Sequence, residues 1–200
     1  MSEILLIRHA PTEWNKDRRL QGLSDVPLSA HSREWIKTWV IPNRFEQFRW
    51  ISSPLVRAKE TADYLHNQSV STSKLLREMD FGDWEGEALP ALRHRLGPEM
   101  QENEDRGLDF TPPNGESPRM VQARLQPLFA EINASQQNTV FVSHHGVMRA
   151  IMALAFDWSM LGKAPIKFQQ GHAYLFRLNN DLSLTSMEMH IPLAPAEVIE

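Results

Sequence analysis

The chain has 200 residues, of which 42% are hydrophobic and 23% charged, and its 21 basic and 25 acidic residues give a net charge of −4. This composition is typical of a folded globular chain and excludes disordered or collagen-like classes. The length predicts a single domain over residues 1–200. The absence of cysteine excludes a disulfide framework, a thiolate zinc site and a cysteine nucleophile. The acidic balance argues against a nucleic-acid partner.

The sequence gives no sign of a membrane segment. Its first apolar run, Ile4 to Ile7, is too short for the core of a signal peptide and for a membrane span. We therefore expect a cytoplasmic protein without a membrane partner.

Short apolar runs alternate with helical patterns over most of the chain. The predicted strands are residues 4–7, 50–52, 75–76 and 139–142, followed by a hairpin of 174–178 and 182–187. Three predicted helices follow Ser29, Ser53 and Ser117, which are suitable N-caps. Two further helices are predicted at residues 87–96, which end before Gly97-Pro98, and at residues 147–156. This alternation predicts an α/β fold with a mostly parallel sheet.

A lid-like excursion is predicted around residues 87–116, between the third and fourth strands. Its stretch from Gln101 to Asn114 is polar and charged. We expect the body of a substrate to contact this stretch and the region of His94-Arg95.

Charged and polar side chains follow each of the first four predicted strands. They are Arg8, His9, Arg57, Glu78, Ser143 and His144. Ligands of open α/β sheets bind beyond the carboxyl ends of the strands, so these side chains are expected to meet at one edge.

This set of side chains suits a phosphate monoester, which carries about −1.5 to −2 charges at pH 7. Guanidinium groups bind phosphate oxygens bidentately. An imidazole that nearby cations keep neutral can attack phosphorus, and a carboxylic acid can protonate the leaving oxygen and then activate water. The pattern therefore predicts phosphoryl transfer without a metal.

The segments that carry these residues resemble those of the histidine phosphatases, the phosphoglycerate mutase-like superfamily. In the family's order, the matching segments are residues 6–15, 20–22, 25–29, 52–62, 78–86, 115–117 and 142–147. The resemblance implies a three-layer α/β/α sandwich with a mostly parallel central sheet. It also implies a metal-independent phosphatase that hydrolyses a small-molecule phosphate monoester through a covalent phosphohistidine, without a cofactor.

The resemblance further implies a role for each site residue. His9 is the nucleophile and Glu78 the proton donor. The phosphate ligands are Arg8, Asn15, Arg57 and His144. The remaining substrate-binding positions are Gln21, Gly22, Ser143 and Gly146. One departure is that Ala10 stands where the family usually has glycine, and alanine would strain a turn that required a positive φ.

Two assignments within the site have alternatives. The other candidates for the acid lie in the same segment as Glu78 and are Asp80, Asp83 and Glu85, of which Asp80 is the second choice. His145 follows His144 directly, and neighbours in an extended segment point to opposite faces. We therefore expect His145 to pack behind the site rather than to line it.

The function also has alternatives. A phosphoglycerate mutase-type enzyme would share the pocket but needs further basic ligands, for which the candidates are Arg93, Arg95 and Arg106. A phosphate-binding module without turnover would need neither His9 nor Glu78. Among phosphatases, residues 78–86 resemble those of α-ribazole-phosphate phosphatases. The expected partner is a small phosphorylated metabolite, and the exposed faces of the hairpin and of the tryptophan-bearing helix after Ser29 could pair into a homodimer.

Overall fold

A six-stranded sheet forms the centre of residues 1–194, the part of the chain that this computed structural model describes. The strands are Ser2–Arg8 (β1), Arg49–Ser52 (β2), Ser71–Thr72 (β3), Thr139–Ser143 (β4), His172–Leu178 (β5) and Leu184–Pro192 (β6). Their order is β3-β2-β4-β1-β5-β6. The first four run parallel to their neighbours, whereas β5 is antiparallel to both β1 and β6. The predicted α/β class and mostly parallel sheet are confirmed.

Helices cover both faces of this sheet. They are Glu13–Lys16 (α1), Ala30–Trp35 (α2), Val56–His66 (α3), Leu89–Leu96 (α4), Pro98–Glu104 (α5), Pro118–Ser135 (α6) and His145–Ala155 (α7). Ser29 and Ser117 cap α2 and α6 as predicted, since each hydroxyl accepts the backbone N–H of the third residue after it.

The side chains of β1 alternate between two hydrophobic cores. Ile4 and Leu6 pack in one core with apolar residues of α6 and α7. Leu5 and Ile7 pack in the other with Ile36 and residues of α3. Because successive residues of a strand point to opposite faces, this alternation produces the predicted three layers.

Two local predictions are wrong, and the predicted helix stop at Gly97-Pro98 is confirmed. Residues 75–76 do not form the third strand, because the Ser73 hydroxyl accepts the N–H of Leu75 and caps a 3₁₀ turn at Lys74–Leu76. Ser53 does not cap α3, which begins after Leu55, and its hydroxyl instead bonds to His144. Gly97-Pro98 ends α4, but Pro98 immediately starts α5.

The excursion between β3 and β4 contains α4, α5 and a 3₁₀ turn at Gly107–Asp109. It has a small core of its own, in which Trp84, Leu92 and Met100 are buried. Within residues 1–194, no helix combines the length and the apolar character that a bilayer crossing requires.

Phe141 at the middle of β4 offers a test of the core. Its side chain is fully buried, so Phe141→Ala should lower the free energy of unfolding by about 3–5 kcal/mol. Val40 is 68% exposed, and Val40→Ala should change it by less than about 0.5 kcal/mol. Urea unfolding followed by circular dichroism measures both values, and equal effects would contradict the assigned burial.

Candidate active site

A cavity of about 580 Å³ opens at the carboxyl ends of β1 and β4. The sequence-predicted residues that line it are Arg8, His9, Asn15, Gln21, Arg57, Glu78 and Gly146. Gly22, Ser143 and His144 are not among the lining residues, although each contacts a residue that is. The structure therefore brings together side chains from widely separated parts of the chain.

The His9 ring is held in one orientation. Its Nδ1 lies 2.7 Å from the carbonyl oxygen of Ala10, which can only accept, so Nδ1 carries the proton. The Nε2 lone pair is then free for a ligand. Burial lowers the pKa of His9 well below its ordinary value, and the charges of Arg8 and Arg57 lower it further. The ring is therefore neutral at physiological pH, as a nucleophile must be.

Arg57 is fully buried and is fixed by three acceptors. Its terminal nitrogens donate to the carbonyl oxygens of Ser24 at 2.8 Å and Gly22 at 2.7 Å, and its Nε donates to His144 at 3.2 Å. Gly22 thus positions Arg57 through its backbone. Each terminal nitrogen of the guanidinium keeps a second N–H that the carbonyls do not use.

Arg8 is the less satisfied of the two cations. Its Nε is buried and has no hydrogen-bond partner among the described residues. Burial lowers its pKa, and the nearby Glu78 carboxylate opposes this shift. A buried donor without a partner in a cavity lined by cations indicates a site for an anion.

His144 lies behind His9, with 5.1 Å between the ring centroids. Its Nδ1 accepts from Arg57, so its Nε2 carries the proton and donates to the Ser53 hydroxyl at 2.7 Å. Burial lowers the pKa of His144 well below its ordinary value, and Arg57 and His9 add to the effect. In this structure the ring holds Arg57, and binding phosphate through Nε2 would require it to leave Ser53.

Ser143 also serves the site from behind. Its hydroxyl donates to the Leu76 carbonyl at 2.8 Å, and its own carbonyl accepts the His9 N–H at 2.9 Å. Its side chain is therefore turned toward the 3₁₀ turn at Lys74–Leu76, and its contacts tie this turn and His9 to the end of β4.

The Glu78 carboxylate is held at the cavity wall by two backbone groups. Its Oε1 accepts the N–H of Met79 at 2.8 Å, and its Oε2 accepts that of Gly146 at 3.2 Å. A Cβ at Gly146 would lie 2.5 Å from Oε1, so only glycine leaves room for the carboxylate there. Asp80, the second candidate acid, bonds the N–H of Gly82 and does not line the cavity.

Arg124 on α6 clamps the segment that carries Glu78. Its guanidinium donates to the carbonyl oxygens of Leu75, Arg77 and Glu78, the last two at 2.7 and 3.1 Å. Its Nε also donates to Glu116 at 3.2 Å. Glu116 lies in residues 115–117, one of the segments that resemble those of the histidine phosphatases. No sequence pattern indicated a role for Arg124.

The polar residues before α2 complete the predicted set. The side-chain Oδ1 of Asn15 accepts from the backbone N–H and the hydroxyl of Thr12. This leaves the side-chain Nδ2 of Asn15 to donate to a ligand. Gln21 has a buried amide oxygen without a partner among residues 1–194. Ala10 is not among the residues with positive φ and donates to Thr61, so replacing the family's glycine causes no strain.

Other residues line the cavity where the sequence placed none. His145 faces the cavity rather than packing behind it, because α7 begins at this residue. Burial, Arg8 and Arg149 lower its pKa to about 3. Arg149, one turn later on α7, also lines the cavity and was missed.

The excursion supplies the opposite wall. Its lining residues are Leu89, Arg93, Gln101, Glu104, Asp105, Gly107 and Phe110. The predicted contact through residues 101–114 therefore has the right geometry. In the region of His94-Arg95, Arg93 lines the cavity, whereas His94 and Arg95 do not, and Arg95 instead pairs with Glu87 at 2.7 Å. No group of three or more His, Cys, Asp or Glu residues within 1–194 could hold a metal ion.

The neutral histidines predict acid-sensitive stability. The pKa of His9, His144 and His145 is lowered in the folded chain, for His145 to about 3, so unfolding takes up protons at these rings once the pH falls below about 6.5. Because the unfolded state binds more protons, the free energy of unfolding should fall as the pH falls, by about 1.4 kcal/mol per pH unit for each ring. Urea titrations from about pH 7 to 5 measure the slope.

His145→Gln isolates one ring. It should reduce this slope by about 1.4 kcal/mol per pH unit, whereas the exposed His94→Gln should leave it unchanged. An unchanged slope in His145→Gln would contradict the burial of a neutral ring.

Known proteins share this architecture and sequence. The model of the histidine phosphatase superfamily (branch 1) matches residues 4–183. A Bacillus subtilis protein named uncharacterized phosphatase PhoE is 30% identical over 161 residues, 76% of each chain. A 2,3-bisphosphoglycerate-dependent phosphoglycerate mutase of Cytophaga hutchinsonii is 26% identical over 99% of this chain and 98% of its own. The structure of a mycobacterial glucosyl-3-phosphoglycerate phosphatase in complex with VO3 has a TM-score of 0.79 at 25% identity, covering 98% of this chain and 100% of that one. The chain therefore belongs to the histidine phosphatase superfamily and is an enzyme of that family.

Proposed function

We propose that the chain is a metal-independent phosphatase that hydrolyses a small phosphorylated metabolite through a phosphohistidine at His9. The observation that carries the proposal is the orientation of His9, whose Nδ1 is tied to the Ala10 carbonyl while the free Nε2 shares a cavity with Arg8, Arg57 and Glu78. A nucleophile, two cations and a carboxylate are what such a reaction requires.

In the first step, Nε2 of His9 attacks phosphorus and the bond from phosphorus to the ester oxygen breaks. Glu78 in its acid form gives its proton to the departing oxygen, which leaves as an alcohol. The charge on the phosphoryl oxygens is stabilised by Arg8 and Arg57, with Asn15 donating a hydrogen bond. This stabilisation should be the largest contribution to the rate.

In the second step, water attacks phosphorus and the bond to Nε2 of His9 breaks. The Glu78 carboxylate takes a proton from the water and returns to its acid form. Inorganic phosphate leaves, and His9 is again neutral. The donors that bind the phosphoryl oxygens can therefore stay in place in both steps, because His9 attacks phosphorus from one side and water then attacks it from the other.

Phosphoryl transfer between positions of one ester is the second candidate function, because the related mutase covers 99% of this chain. Of the basic candidates named for it, Arg93 lines the cavity and is paired with Glu104. The structurally similar mycobacterial protein is named as a phosphatase, which supports hydrolysis. Assays of phosphate release and of ester isomerisation on one substrate separate the two.

The physiological substrate of this phosphatase is not fixed by the residues of the phosphate end. α-Ribazole phosphate stays a prediction from residues 78–86. A cytoplasmic location and a homodimer also stay predictions.

Trapping the intermediate tests the proposed mechanism. Incubation with a ³²P-labelled monoester followed by rapid alkaline quenching should leave acid-labile label on His9, located by peptide mass spectrometry. His9→Ala should lose both the label and at least about 10³-fold in kcat, because the proposed reaction forms its covalent bond at the His9 ring. The exposed His94→Ala is the control. Full turnover in His9→Ala, or label elsewhere, would reject the mechanism.

Arg124 provides a test of the acid without changing Glu78. Arg124→Met removes the clamp on the 75–78 backbone and should lower kcat by about 10- to 100-fold for alkyl phosphates, whose leaving groups need a proton. For 4-nitrophenyl phosphate, whose leaving group is a weak base, the loss should be several-fold smaller.

Arg119→Met is the matched control for this variant. Arg119 lies on the same helix and forms an exposed ion pair with Asp109 at 2.7 Å, so its removal should affect neither substrate. An equal loss on both substrates in Arg124→Met would show a general structural effect and contradict the positioning role.

A further inference from the structure

We propose that the cavity contains a second anion site, built on Arg149, which binds a singly charged oxyanion such as a carboxylate on the substrate body. The proposal rests on the proposed function for the other end of the substrate, where Arg8 and Arg57 bind the phosphate. It assigns the substrate to phosphate monoesters that carry a second, acidic group.

Arg149 is fixed in place at the cavity wall. It lies on α7 four residues after His145, so that both side chains share one face of the helix and line the cavity. The carbon of its guanidinium lies 4.8 Å from the centroid of the Trp158 ring. The Trp158 ring is itself held, since its indole N–H donates to the Leu161 carbonyl at 2.8 Å. Stacking covers one face of the guanidinium and leaves the N–H donors at its edge for a ligand.

The charge of Arg149 is not matched by a carboxylate of the described chain, residues 1–194. Other arginines at the cavity wall are matched, since Arg93 pairs with Glu104 at 2.8 Å and Arg19 with Asp17 at 3.2 Å. Burial lowers the pKa of Arg149, and no acidic neighbour opposes this shift. A partly buried cation without a counter-ion is costly, and an oxyanion from a ligand would relieve that cost.

The number of charges indicates which anion binds. At the phosphate end two guanidinium groups, Arg8 and Arg57, meet a group of about two negative charges. Arg149 is a single guanidinium at the cavity wall. A singly charged group such as a carboxylate therefore matches it better than a second phosphate does.

The apolar part of the cavity wall indicates the connecting part of the substrate. Leu20, Phe81, Phe110 and Leu161 line the cavity together with these cations. These side chains favour an apolar connection between the ester oxygen and the acid. A volume of about 580 Å³ is that of a small-metabolite site.

Binding of matched phosphonates tests the site without turnover. The probes are ω-carboxyalkylphosphonates of increasing chain length, each paired with its neutral carboxamide, and the measurement is isothermal titration calorimetry with the full chain. At one chain length the acid should bind about 10- to 100-fold more tightly than the amide, which is the range expected for a charge-assisted hydrogen bond. A bisphosphonate of the same length should not exceed the acid in affinity.

Variants connect this preference to one residue. Arg149→Met should remove the preference for acid over amide while keeping the affinity for the amide, and Arg149→Lys should keep part of it. Arg119→Met, an exposed arginine outside the cavity, should keep all of it. Because acid and amide are compared on the same protein, a general loss of folding cannot imitate the result. With the corresponding phosphate esters, Arg149→Met should raise KM for the acid and leave kcat nearly unchanged.

Each outcome decides between the two proposals. An acid preference that persists in Arg149→Met, or that is absent from the wild type at every chain length, overturns the second site. Hydrolysis of esters without an acid preference leaves the phosphatase proposal standing. An acid preference without hydrolysis of any ester overturns the phosphatase proposal and supports the second site. Failure of all phosphonates to bind counts against both.

Discussion

The burial of two guanidinium groups beside neutral imidazoles is the constraint on which the site depends. Arg57 is fully buried, and burial lowers the pKa of both Arg57 and Arg8. A carboxylate in direct contact would neutralise these cations but would also repel a phosphate. The chain instead directs backbone carbonyls at Arg57, which accept hydrogen bonds without carrying a full charge. The cations therefore stay available to an anion that enters the cavity. Burial lowers the pKa of His9, and the two cations lower it further.

Supplying those carbonyls requires an unusual loop before α2. Gly22 has a φ of +51°, and a Cβ there would lie 1.9 Å from an oxygen of Glu85. The Glu85 carboxylate accepts the N–H groups of Leu23 and Ser24 at 2.6 and 2.9 Å, which turns the Gly22 and Ser24 carbonyls toward Arg57. Glu85 thus acts through the loop backbone rather than on the substrate, and Gly22 is required because no side chain fits beside that carboxylate.

The sequence predicts a residue's position where the pattern of its neighbours in the chain determines that position. Arg8, His9 and His144 follow strands with strong apolar patterns, so their position at the sheet edge was predictable. The strand predicted at Leu75-Leu76 is wrong, because two adjacent leucines fit a 3₁₀ turn as well as a strand. The Ser73 cap favours the turn. The clamp that Arg124 forms on the Glu78 segment was not predictable, since it uses backbone carbonyls 46 to 49 residues away that have no side-chain signature.

The two ends of the cavity are built from different parts of the fold. Its phosphate end is made from the ends of strands in the centre of the sheet, where the core fixes the backbone. Its other wall is made from α5, the turn at Gly107–Asp109 and the loop after α7, where Met160 and Gly162 have positive φ. These two segments brace each other, since the Leu108 N–H donates to the Ser159 carbonyl at 3.1 Å. A Cβ at Gly107 would lie 2.3 Å from that carbonyl oxygen, so the contact depends on glycine. His9 is held by other contacts, since its N–H donates to the Ser143 carbonyl at 2.9 Å and its carbonyl accepts from Gln170 at 2.8 Å. The turn at Gly107–Asp109 and residues 160–162 can therefore differ without changing the contacts that place His9.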